Sequence, residues 1–418
     1  MNTISGEINQ RIEHPRPIIK LLSLLFLILL LALMVNGSIP QLQMFLFSGN
    51  VPVPMTLVRF TAAVMCLGII TLTLRRRVEV DSMLMFTWFL FTSYLVIEIG
   101  LLATPTNSHL SIITSILSVY FFVFTIPLVL YLHGNLKEKQ IIRILLSIFV
   151  LLAILGTIQF LLKEPLLPVS SNDLSFTVYS WNFHENVRAF SLFESGYSFG
   201  HYIAIAGAVF LLLPMNRSIK LLLMALVLFA GYSTLTRNAY LEIGAVLIAA
   251  FILSKKINNR AAPYILSFFN ALAGYTVMKL APVISSKFGG NDIVSIETHT
   301  SRVNEWSYIM EMWLSNDVYT ALFGTGLAQG FGFQYVDNMY LAVGAQFGIL
   351  GLISFGLLFL SMTGYVFREA RARMTPLSIA IAAFWTSFPI VSFFNISLPP
   401  YLFVFIILML ARKERAGA

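Results

Sequence analysis

From Ile18 to Val35 the chain reads IIKLLSLLFLILLLALMV, 18 residues in which Lys20 is the only charge. A helix of that length rises about 27 Å, close to the ~30 Å of a bilayer's hydrocarbon core. Comparable blocks recur to the far end of the chain, which is 58% hydrophobic and 11% charged with a mean hydropathy of +0.82. The blocks are continuously apolar rather than alternating, which argues against a transmembrane barrel. Only helices satisfy every backbone polar group within one apolar segment. The reading is therefore an all-α, polytopic integral membrane protein forming a single transmembrane domain over residues 1–418. About twelve spans are expected, at 18–35, 55–74, 83–103, 110–132, 142–162, 197–214, 219–235, 238–254, 263–281, 337–364, 375–393 and 398–411. QLQMFLF at 41–47 is too short to cross. Asn36-Gly37-Ser38 follows the first block instead of a small-x-small cleavage site, so that block reads as a retained helix. The single cysteine, Cys66, falls inside a span and can form neither an intrachain disulfide nor a cysteine metal site.

The loops separate by charge. With the N-terminus placed inside, the inner segments hold twenty of the 27 basic residues but only seven of the 19 acidic ones. That bias is the positive-inside rule. It places both termini in the cytoplasm and accounts for the net charge of +8 without a nucleic-acid partner.

Two expected outer loops are long, residues 163–196 and 282–336, whereas the inner loops are short turns. Long loops in a compact protein usually carry function. In the second loop SRVNEWSYIMEMW, 301–313, has helical spacing of Val303, Trp306, Met310 and Trp313, and Thr300 or Ser301 would cap it. Paired Trp rings favour an interfacial helix or simple packing. Four arginines break the charge rule: Arg59 near the start of the second span, Arg188, Arg237 in the tight turn TLTRNAY, and Arg302 ahead of the 301–313 helix. Snorkelling explains any one of them. Four guanidinium groups on the acidic side fit a phosphate or pyrophosphate headgroup better, because Arg binds phosphate bidentately. The acids at that rim are Glu98, Glu194, Glu242 and Asp337. Glu242, five residues after Arg237, is expected to pair with it across the turn. Glu194 and Asp337 each abut a long loop and are the candidates for a general base. The glycines of FGTGLAQGFG, 323–332, follow no strand and lack a phosphate-loop lysine, so they read as close backbone approach. His109, His184, His201 and His299 lack metal-ligand spacing, and no metal or cofactor is expected.

The segments RAFSLFESGYSFG (188–200), STLTRNA (233–239), SRVNEW (301–306) and GTG…DNMYL…GAQFGILG (324–351) resemble the O-antigen polymerase and ligase superfamily, the Wzy/WaaL-like bacterial glycosyltransferases. The resemblance covers roughly residues 150–365. It implies a GT-C-like, metal-independent glycosyltransferase in the bacterial inner membrane, with its site facing the periplasm. The donor would be a glycan on undecaprenyl pyrophosphate. Arg188, Arg237, Arg302 and Arg59 would bind the pyrophosphate, and Arg302 would also stabilise the leaving group. Asp337 or Glu194 would activate the acceptor hydroxyl, with Asn338 and Tyr340 orienting it. Ligases of the family carry His-Asn where this chain has Asp337-Asn338, so the resemblance favours a repeat-unit polymerase. Such a polymerase would work beside a flippase and a chain-length regulator. A ligase acting on lipid A-core or protein is the close alternative. A lipid-linked oligosaccharide flippase or transporter is the alternative of another class, expected to show charges along a midplane cavity.

Overall fold

The computed structural model describes residues 17–34, 81–102, 120, 123–132, 134–163, 182–183, 186–191, 193, 196–287, 296–315, 317–324, 338–392 and 398–412. The helices are α1 (Pro17–Met34), α2 (Ser82–Leu102), α3 (Ile126–Tyr131), α4 (Glu138–Leu162), α5 (Gly196–Leu212), α6 (Arg217–Ser233) and α7 (Arg237–Lys256). They continue with α8 (Ala262–Lys287), α9 (Ile296–Ser315), α10 (Val318–Phe323), α11 (Met339–Arg373), α12 (Pro376–Thr386), α13 (Phe388–Ser392) and α14 (Leu398–Leu410). The only extended pairings among the described residues are β1 (Leu136–Lys137) with β4 (Ala411–Arg412), parallel, and β2 (Asn182–Phe183) with β3 (Asn186–Val187), antiparallel.

This is an all-α protein, and α4, α7 and α11 are each long and apolar enough to cross a membrane. Large apolar side chains stay exposed on the outer helices, among them Leu161 of α4, Leu222 of α6, Phe251 of α7 and Phe268 of α8. In water such a belt would aggregate; against lipid it is the low-energy state. Inside it lie α5, α12 and α14, whose described residues are nearly all buried. The small residues of α5 (GHYIAIAGAV) allow close helix contact, and Gly207 has room only for a hydrogen beneath Val227 of α6.

The segments with excess positive charge meet at one end of the bundle. Lys137 pairs in register with Arg412, and Arg368 of α11 forms an ion pair with Asp81 at the start of α2. The Leu377 amide donates to Glu138 Oε1 (3.3 Å), and Arg373 Nη1 donates to the carbonyls of Leu408 (2.9 Å) and Ala411 (2.7 Å).

Two expected spans are discontinuous. The 337–364 segment begins at Met339 and breaks at Gly348, whose φ of +69° lies outside the helical region. Beyond the break the helix runs 25 residues to Arg373, about 37 Å and enough to cross alone. A Cβ at Gly348 would overlap the Leu322 carbonyl, so the C-terminal end of α10 docks into the break. The freed Phe347 carbonyl accepts from Tyr94 Oη at 2.5 Å. The 375–393 segment splits into α12 and α13 at Ser387. Pro389 is the cause: it has no N–H to offer the Trp385 carbonyl and its ring clashes there. The 301–313 helix starts earlier, at Ile296, so Thr300 and Ser301 lie within α9 instead of capping it. Polar residues carry its first turns, which apolar spacing could not register. Its Trp313 packs its ring on Gly344 of α11 and donates Nε1–H to the Ala321 carbonyl (3.2 Å). The 41–47 segment and the 55–74 span lie outside the described residues, as do most of the 110–132 span and much of both long loops.

Candidate functional site

At the end opposite the basic cluster, two arginine-bearing segments are joined through their backbones. The Ala189 amide donates to the Ser233 carbonyl at 2.9 Å, tying the segment that carries Arg188 to the turn that leads into Arg237. The Arg188 segment is fixed from below by α4. Gln159 Oε1 accepts from the amides of Phe190 and Ser191 (both 2.9 Å), and Ser191 Oγ donates to the Leu152 carbonyl at 2.7 Å. A buried side chain that satisfies two loop amides removes the loop's freedom to rearrange. The 233–236 turn is held by its own hydroxyls: Thr234 Oγ1 bonds the Gly231 carbonyl (2.7 Å) and lies 3.0 Å from Thr236 Oγ1. Gly196 fits against this turn, where a Cβ would meet the Thr234 carbonyl at 3.1 Å.

Arg237 is the first residue of α7. A cation there opposes both the helix dipole and the positive-inside bias. Arg188 is partly exposed and close enough to Tyr240, one turn into α7, for its charge to act on that phenol. Positive charge and helix N-terminal amides therefore converge where an anion would be stabilised.

Beneath the two segments lies a buried polar chain spanning four elements. His201 and Glu242 are each the sixth residue of their helix, α5 and α7, about 8 Å below its first residue. His201 Nδ1 contacts Glu242 Oε2 directly. Glu242 Oε1 lies 2.9 Å from Tyr401 Oη of α14, and that hydroxyl lies 2.7 Å from Ser387 Oγ in the α12–α13 break. Ser387 Oγ is in turn 2.6 Å from the Phe384 carbonyl. Glu242 is 1% exposed, His201 4%, and Tyr401 and Ser387 fully buried. The helices approach closely enough because Gly200 leaves room for Ala239, whose Cα would stand 3.2 Å from any added Cβ. Asn270 of α8 donates to the Thr386 carbonyl at 2.7 Å and satisfies the same break from the other side. Ionisable groups at such depth are costly in a membrane and are kept where they function.

The expected Arg237–Glu242 pair does not form. Five residues turn a helix about 140° past a full turn, so the two side chains leave different faces; pairs form at three or four. Glu242 turns inward to His201 and Tyr401 instead. Arg302 lies within α9, not ahead of it. Asn338 is the N-cap of α11: its Oδ1 accepts from the amides of Tyr340 (3.0 Å) and Leu341 (3.1 Å). Tyr340 faces Ser392 of α13 and stands close enough to Tyr401 to act on it electrostatically, which brings the start of α11 to the buried chain. The side chain of Arg302, together with Asp337, Glu194 and Arg59, lies outside the described residues. Among the described residues no group of His, Cys, Asp and Glu is arranged to hold a metal. His201, Ser387 and Tyr401 escaped sequence reasoning. One signal was available: a histidine and a glutamate at equal depth in two apolar helices that flank α6.

No protein-family model matches this chain, and no curated protein matches it either.

Proposed function

We propose that the protein is a polysaccharide repeat-unit polymerase of the bacterial cytoplasmic membrane. It transfers a glycan from undecaprenyl pyrophosphate to a sugar hydroxyl of an incoming lipid-linked repeat unit, outside the membrane, across about twelve spans with both termini inside. The observation that carries this reading is the backbone tie between the Arg188 segment and the Arg237 turn, at the end of the bundle remote from the basic cluster. Two guanidinium groups held there suit a pyrophosphate better than they suit topology. In this reading Arg188 and Arg237, with Arg302 and Arg59, hold the pyrophosphate and offset the charge that develops as it leaves. Asp337 or Glu194 accepts the proton of the attacking hydroxyl, and Asn338 and Tyr340 set the acceptor edge of the site.

The test is a chromosomal deletion followed by glycan analysis on gels. A polymerase mutant keeps a single repeat unit on its acceptor, whereas a ligase mutant accumulates polymer on the lipid carrier. Complementation with Arg188→Ala or Arg237→Ala should restore protein but not long chains; normal ladders from both refute the site. A transporter is the second reading, supported by the buried His201–Glu242 contact and by the breaks at Gly348 and Ser387, since discontinuous helices and buried ionisable groups within spans mark transport sites. Lipid-linked oligosaccharide movement in proteoliposomes, without chain growth, would favour it.

A further inference from the structure

We propose that the basic end of the bundle holds the headgroup of an anionic phospholipid between the α7–α8 turn and the end of α11, with Arg371 as its principal ligand. The site is independent of the function proposed above. Three arginines close α11. Arg368 is paired with Asp81, and Arg373 with Glu369 (2.9 Å) and two carbonyls at the end of α14. Arg371 has neither a carboxylate nor a carbonyl partner among the described residues. It is only partly exposed, and its Nη1 is buried without a hydrogen bond. Withdrawing part of a charged group from water is costly while it stays unpaired, and a bound anion removes that cost.

The topology brings more cations to the same place. Phe367 precedes Arg371 by one turn on the same face of α11, and its ring packs on Tyr264 of α8 with centroids 5.2 Å apart. α11 ends at the basic end and α8 begins there, so Arg371 and the α7–α8 turn share one layer. The stretch SKKINNRAAPY, 254–264, supplies Lys255, Lys256 and Arg260 and contains no acid. The positive end of the α8 dipole adds to them. Sidedness alone accounts for the presence of cations here, but not for their posture. A snorkelling lysine reaches toward water. Lys255 Nζ instead lies 4.3 Å from the centre of the Phe251 ring, one turn back toward the middle of α7, and that ring is exposed in the apolar belt. An ammonium held on a lipid-facing ring stands in the headgroup layer, where the anion at hand is a phospholipid phosphate. Arg371 would take its oxygens as a fork, the lysines would complement its charge, and the exposed rings of Phe251 and Phe268 would receive the acyl chains. A headgroup that carries its own cation would gain less, so the site selects a net negative lipid.

Thermal unfolding of the full chain in detergent, followed by tryptophan fluorescence, tests this with three additives: phosphatidylglycerol, phosphatidylcholine and inorganic phosphate. Phosphatidylglycerol should raise the midpoint saturably, and the other two should not. In Arg371→Gln the concentration giving half the shift should rise at least ~tenfold, because a charge-assisted contact is lost. Arg143→Gln removes the same charge from an exposed position on α4 and should respond like the wild type. An equal shift with phosphatidylcholine overturns the proposal. So does an equal shift with inorganic phosphate, which would make this a site for free anions. An undiminished response in Arg371→Gln refutes the ligand, and a loss as large in Arg143→Gln reduces the effect to net charge and refutes the site. Should Arg371→Gln fail to fold, the double variant Lys255→Gln/Lys256→Gln, at two exposed positions, decides: its response must weaken, and an unchanged one overturns the proposal. These readouts require no glycan transfer, so loss of the polymerase reading would leave them standing.

Discussion

Replacing Gly200 by Ala should separate the two helices that hold the buried acid and imidazole. The new methyl would fall well inside contact with Ala239 Cβ, and its distance to Ala239 Cα would be 3.2 Å. Carbon atoms rest at ~3.5–4.0 Å, so α5 and α7 must move apart by roughly 1 Å. Ala239 offers no flexible end that could swing aside, and the displacement passes to His201, the next residue. Overpacking of this kind costs ~1–3 kcal/mol, and leaving one buried polar contact unmade adds ~1–3 kcal/mol. Alanine's better helix propensity returns ~1 kcal/mol. Gly244 provides the control, because it too is a helical glycine, in α7, but a Cβ there meets nothing within 4 Å. Gly244→Ala should therefore gain up to ~1 kcal/mol. The two variants differ only in whether the methyl has room, so their stabilities should separate by roughly 2–6 kcal/mol. Thermal unfolding in one detergent, followed by tryptophan fluorescence, measures the difference. If Gly200→Ala melts with Gly244→Ala, the close approach of α5 and α7 does not hold the site together.

Gly348→Ala is expected to be worse than an ordinary helix substitution, because it combines a φ of +69° with overlap on the Leu322 carbonyl. It should undock α10, read as faster proteolysis between Val318 and Gly324, and a protease pattern like the wild type's would argue against the break. Asp81→Asn keeps the cap on the Leu84 amide but loses the charge on the Arg368 contact. Because Arg368 is 54% exposed, the loss should be at most ~1 kcal/mol. Burial pushes the Asp81 carboxyl up, but the Arg368 hydrogen bond and the Leu84 amide outweigh it and hold it below its ordinary 3.8. A depressed carboxylate stabilises above its unfolded pKa, so the gap between wild type and Asp81→Asn should be full at neutral pH and close as pH falls through the folded value, below 3.8. A gap that widens in acid would reverse the sign of the argument. Asn338→Ala removes an acceptor from two amides and should cost ~0.5–2 kcal/mol, whereas Asn338→Asp should cost little, as unfolding measurements can check.

What could be read from residues alone divides by physical range. Helix placement needs only the length and continuity of apolar blocks, so α1, α2 and α4 to α7 begin and end within a few residues of their expected limits, whereas α8 runs on past 281 to Lys287. Sidedness needs only the loop charges, and the pairing of Lys137 with Arg412 and of Asp81 with Arg368 agrees with the grouping they imply. Breaks are harder, because an apolar run shows no gap where a helix turns aside. The α12–α13 break had a local signal at Pro389, which cannot donate to the Trp385 carbonyl, although 375–393 reads as one span by apolar length alone. The break at Gly348 was not legible, because a glycine in a membrane helix is more often a packing contact than a left-handed residue. Its cause is the arrival of Leu322 and Phe323 from another segment. The buried chain depends on still longer range, drawing Glu242, His201, Ser387 and Tyr401 from four elements. The arginines were conspicuous because they broke a rule of loops. Glu242 was conspicuous too, yet the nearest arginine in sequence drew attention from a histidine 41 residues away at the same depth. In a membrane helix an acid is better matched by depth than by sequence distance. The groups able to satisfy it are those that reach the same layer from neighbouring helices, and Glu242 finds all its partners there.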